Sequence, residues 1–100
     1  MNGAAGKGDG ETSAVARLTV PDLGLAGVTL VLSLWLVPEG SEVIEGDRVV
    51  ELLAGGVTVD LAAPVSGRFV RALADEDDAV SPGAPLAEFV AVPDAGGEEA

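Results

Sequence analysis

An all-β domain of two similar halves is the fold this sequence predicts, on three observations. From residue 14 to residue 92, short Val, Leu and Thr runs are punctuated at close intervals by Gly and Pro, the pattern of many short strands. That stretch carries no good amphipathic helix spacing. A segment also repeats at an offset of 37, with Glu39–Leu52 overlaying Glu76–Phe89. Glu39/Glu76, Val43/Val80, Gly46/Gly83 and Glu51/Glu88 are identical in it, and Val49/Leu86 and Leu52/Phe89 stay apolar.

Taken in order, strands are expected near 15–20, 29–37, 47–53, 57–62, 66–74, 78–81 and 85–91. In the first, Arg17 and Thr19 alternate with Val15, Leu18 and Val20 in a rough period of two. Residues Leu52 to Val57 read as a tight hairpin, with Gly55 and Gly56 supplying the positive φ angles of a two-residue turn. After it, Val57, Val59 and Leu61 face one way and Thr58 and Asp60 the other. Each repeat then reads as a turn, a buried Val (43 or 80), a Gly for a second turn (46 or 83) and an alternating strand. Gly40 and Asp77 share a position suited to left-handed backbone, so two halves covering each other's apolar faces are expected. Residues 1–13 hold four Gly and no large apolar residue besides Met1, and are expected to be a disordered tail, as are residues 93–100. One domain, 14–92, is left between them.

Composition narrows the function. Aromatic residues make up only 3% of the chain, so the core must be Val, Leu and Ala. The formal net charge is -12, which argues against nucleic acid and anionic membranes and suits solubility or a basic protein partner. With no Cys and no His, disulfides, thiol nucleophiles, the usual zinc sites and Ser-His-Asp triads are excluded. The first 14 residues lack the apolar core of a signal peptide, and the apolar stretch from Val28 to Val37 is too short to span a bilayer. A cytoplasmic location is the expectation.

The order of motifs resembles the lipoyl domains of 2-oxoacid dehydrogenase complexes, within the biotinyl/lipoyl carrier family. Val20-Pro21-Asp22-Leu23-Gly24 resembles that family's first strand and loop. Trp35 through Gly40, Val43 and Glu45-Gly46-Asp47 resemble its Trp-to-Gly-Asp segment, and Ala63-Pro64-Val65-Ser66-Gly67 its Ala-Pro-x-Ser-Gly turn. The closing segment runs through Pro82-Gly83 to Leu86, so the likeness covers about residues 17 to 91. Pro21-Asp22-Leu23-Gly24 and Trp35 resemble the lipoyl branch rather than the biotinyl one. The resemblance implies a flattened barrel-sandwich of two small antiparallel sheets with internal pseudo-two-fold symmetry. It also implies a lysine at the tip of the hairpin between the repeats, carrying lipoate through an amide.

Counted forward from Glu51 or back from Ala63-Pro64, Gly56 stands at that lysine position and Gly55 at the one before it, where the resemblance implies an aspartate. The only lysine in the chain is Lys7, in the expected tail. Lipoylation or biotinylation of the domain, and hence any covalent cofactor, is not expected.

Other candidates read as structure. Asp75-Glu76-Asp77-Asp78 is expected to be a solvated turn rather than a metal site. Trp35 is expected to be partly buried, and Arg68 and Arg71 to pair with surface carboxylates. No catalytic residue is found, so no enzyme activity is expected. The favoured function is a non-modified lipoyl-like module acting through protein contacts, docking on a thiamine-dependent or acyl-transfer enzyme of a 2-oxoacid dehydrogenase-like assembly. Two alternatives stand beside it: a lipoyl carrier whose residue 56 has been changed, and a protein binding a small molecule noncovalently.

Overall fold

Extended Val- and Leu-rich runs can bury one face only by pairing and stacking, and here they do so twice. A computed structural model describes residues 15–92. The expected tails at 1–13 and 93–100, with Lys7, lie outside the described residues. Eight strands follow in order: β1 (Val15–Thr19), β2 (Leu30–Trp35), β3 (Glu42–Val43), β4 (Arg48–Ala54), β5 (Val57–Ala62), β6 (Gly67–Ala72), β7 (Ala79–Val80) and β8 (Pro85–Ala91). They form two four-stranded sheets of order β1-β8-β6-β3 and β5-β4-β2-β7, with every pairing antiparallel. This is the flattened barrel-sandwich that the resemblance to the carrier family implies.

The internal repeat is a real structural two-fold. Adding 37 carries β2 onto β6, β3 onto β7 and β4 onto β8 residue for residue. The irregularities repeat too. Ser33 bulges between Leu32 and Leu34, and Val70 between Phe69 and Arg71. Val49 and Leu86 are extra in the β4–β5 and β8–β1 ladders, which turns two consecutive apolar residues inward in each case, Val49-Val50 and Leu86-Ala87. Gly40 and Asp77 do share a left-handed position, at φ 92° and 78°, and Gly46 and Gly83 match at 96° and 87°.

The identical pair Glu39/Glu76 locks the halves together. Glu39 accepts a bond from the Ala72 N–H at 2.7 Å, and Glu76 accepts one from the Trp35 N–H at 3.0 Å. Each carboxylate satisfies the strand end of the other half, where the ladder has no further partner.

The expectation of a core of Val, Leu and Ala is corrected: Phe69 and Phe89 stand in it beside Leu32, Leu52 and Leu86, all at or below 1% exposure, and no polar side chain is buried among the described residues. Phe69 stacks on Phe89 at 5.3 Å and meets Trp35 at 5.0 Å. Their symmetry mates are Leu32 and Leu52, so the core interleaves aromatic rings of one half with leucines of the other.

Several expectations change. β3 was not expected, since residues 39–43 read as a turn and a buried Val, although its mate β7 falls within the strand expected at 78–81. Val43 is buried as expected, but Val80 is only half buried. Val15 lies on the outer face with Arg17 and Thr19 and is 57% exposed, while Ala16 and Leu18 turn inward. Leu36 and Leu73 lie beyond their strands, each bonded through its N–H to the Val49 or Leu86 carbonyl at 2.8 Å.

Candidate functional site

The end of the molecule marked by the β4–β5 hairpin is the candidate site. Ala54 pairs with Val57, and Gly55 and Gly56 close the turn. Gly55 alone has a positive φ, 65°; Gly56 does not. The expectation of two such angles is corrected: the turn has the arrangement that needs Gly only at its first central residue. A Cβ on Gly56 would meet nothing within 4 Å, whereas one on Gly55 would stand 3.7 Å from Val28 Cγ1. At position 56 neither a left-handed φ nor a neighbouring atom opposes a Cβ.

Val28 belongs to a loop, 20–29, that leads from β1 to β2 and rests beside the hairpin. Leu23, Leu25, Val28, Leu30, Asp22 and Pro82 are among the residues lining a hollow of about 420 Å³ there. Gly24 and Gly27, at φ 71° and 82°, turn the chain, and Asp22 accepts the Gly24 N–H at 2.9 Å. This loop and its hollow were not foreseen. Backbone pairing matches residue 63 to 20 at an offset of 43, whereas 67 matches 30 at 37, so the first loop is six residues longer than its counterpart 63–66.

Chemically, Ala54-Gly55-Gly56-Val57 offers no amine, thiol, imidazole or carboxylate. A prosthetic group held by an amide does not fit these residues, and no group-transfer step can be derived at this tip.

The other sequence candidates are placed apart from it. In the acidic run, Asp78 accepts the Asp75 N–H at 2.8 Å, Glu76 holds Trp35, and Asp77 takes the left-handed turn position. These carboxylates are fittings of a tight turn. Trp35 is half buried, and its indole N–H donates to the Ala74 carbonyl at 3.1 Å. Arg68 pairs with Glu42 and Arg71 with Glu88, each at 3.3 Å. Among the described residues, no helix is long and apolar enough to cross a membrane.

Comparison with known proteins agrees with this architecture. The biotin/lipoyl family, described as "Biotin-requiring enzyme", matches residues 16–89. The chain is 32% identical over 86 residues to the dihydrolipoyllysine-residue acetyltransferase component of the pyruvate dehydrogenase complex of Corynebacterium glutamicum. It is 33% identical over 78 residues to that of the acetoin cleaving system of Pseudomonas putida. These matches take in 86% and 78% of this chain but only 13% and 21% of those relatives. Among solved structures, a single-chain, multi-domain long-chain acyl-CoA carboxylase aligns at TM-score 0.62 and 26% identity, over 82% of this chain and 8% of that one. The lipoyl domain of the Azotobacter vinelandii 2-oxoglutarate dehydrogenase complex aligns at TM-score 0.62 and 17% identity, over 76% of this chain and 95% of that domain, a likeness of fold.

Proposed function

The chain belongs to the biotin/lipoyl domain family, and from that premise we propose that it is an unmodified lipoyl-like domain working through protein contacts. One observation carries this reading. The hairpin tip keeps an open, exposed turn with room at position 56, yet Gly56 stands where the family resemblance places the attachment lysine. The single lysine of the chain, Lys7, lies far from the hairpin in sequence.

The domain is then an accessory module and not an enzyme. Its partner is a protein of an acyl-transfer or thiamine-dependent assembly, in keeping with relatives that are components of a pyruvate dehydrogenase complex and an acetoin cleaving system. An overall charge of -12 steers it toward a basic surface. The setting proposed is cytoplasmic.

The test is the intact mass after co-expression with lipoate and biotin ligases. The unmodified mass is expected, and an added lipoyl or biotinyl group overturns the reading. Gly56→Lys is the companion variant. Because position 56 has ordinary φ and free space, this chain is expected to fold as before and to take up lipoate.

A further inference from the structure

The two-fold places one pair of identical glutamates, Glu51 and Glu88, at equivalent points on the outer faces of the two sheets, but surrounds them differently. In the first sheet the cross-strand row is Arg71–Glu88–Arg17. Glu88 holds both guanidiniums, Arg17 at 3.1 Å and Arg71 at 3.3 Å. In the second sheet the same row is Leu34–Glu51–Asp60. Asp60 is held by Arg48 at 3.4 Å, and among the described residues no cation lies within ion-pair distance of Glu51. Where its mate has two arginines, Glu51 has a leucine and a second carboxylate.

Exposed leucines lie on the same face. Leu34 is 44% exposed, Leu53 40% and Leu36 39%, with Leu53 two residues along β4 from Glu51 and paired to Val31. Three leucines around an uncompensated carboxylate form a patch of the kind that marks a contact surface. The fold does not demand it, since the second half places charged pairs on the same lattice.

We propose that this outer face, Leu34–Glu51–Asp60 with Leu36 and Leu53, is the docking surface for a basic protein segment that sets an arginine between apolar side chains. The proposal rests on the protein-contact reading above and names its surface. Glu88 is the template for the occupied state: the partner's guanidinium takes the place at Glu51 that Arg71 takes at Glu88. A second copy of this chain suits the face poorly, because two bodies of charge -12 repel.

The probe is a synthetic amphipathic peptide of alternating Arg and Leu, titrated into the ¹⁵N-labelled protein at physiological salt. Amide shifts are expected on residues 31–36, 51–53 and 58–60. Glu51→Gln is expected to weaken binding about tenfold, at the lower edge of what losing one close charge pair costs. Glu45→Gln, the same charge change on a remote turn, is expected to leave binding near wild type. Leu34→Arg supplies the missing cation from within and is expected to abolish binding while the fold is kept. Shifts centred on the acidic turn 75–78, equal losses from Glu51→Gln and Glu45→Gln, or undiminished binding by Leu34→Arg each overturn the proposal. None of these readouts depends on the mass measurement, so a lipoylated wild-type chain and a failed docking face are separate results.

Discussion

The two halves of this domain share their strands, bulges and turns, and they differ most where they face outward. The loop 20–29 is six residues longer than 63–66 and forms a hollow beside the hairpin, while its counterpart only turns the chain. The β4–β5 hairpin has no closed equivalent in the other half, because the matching ends are where β8 finishes and β1 begins. Glu88 is clasped by two arginines, and Glu51 sits among leucines. Inside, each half answers the other, Leu32 with Phe69 and Leu52 with Phe89. The interior keeps apolar character rather than residue identity, and the exterior exchanges charged for apolar side chains, so burial fixes polarity while solvent-facing positions are left to vary.

The sharpest test of that comparison is Gly67, whose symmetry mate is the buried Leu30. A Cβ at 67 would overlap the Val90 carbonyl oxygen and lie 2.9 Å from the Ala91 Cα. Gly67→Ala is expected to cost roughly 3 kcal/mol in urea denaturation, as for other overpacked sites. Leu30→Ala instead opens a cavity and should cost a similar amount for the opposite reason. A Gly67→Ala protein as stable as wild type would break this account of why the halves differ there.

Next in size are the crossed carboxylates. Glu39→Ala and Glu76→Ala each remove the acceptor of one strand-end N–H, and each is expected to cost about 1–2 kcal/mol. The comparison predicts equal losses; a midpoint shift in one variant and none in the other would show that only one half depends on the lock.

The smallest effect separates the two tip glycines. Gly55→Ala forces an L side chain to φ 65° and is expected to lose about 1 kcal/mol. Gly56→Ala should change stability by under roughly 0.5 kcal/mol, since the site is exposed and unstrained. Thermal melts of the two variants side by side measure the difference.

Much of the fold was legible. The repeat, the left-handed positions at Gly40 and Asp77 and the hairpin all follow from residue types at fixed spacing, because Gly and turn-forming residues report backbone angles directly. Glu39/Glu76 stood out as an identity, but its role did not, since the N–H each accepts comes from a strand more than thirty residues away. The row around Glu51 was hidden for a related reason. Ser33 bulges out of register, so an unbroken period of two puts Leu34 on the wrong side of the sheet.

By itself the sequence determined the all-β class, the two-fold repeat, the family likeness and a hairpin tip, Ala54 to Val57, without an amine side chain, all of which depend on local residue identity and spacing. Tertiary structure alone decided that Gly56 is open and unstrained, that the longer loop lies beside it, and that Glu51 shares an outer face with Leu34 and Asp60. These depend on cross-strand register and on how the sheets curve, and bulges shift both by single residues that leave no mark in the pattern of types.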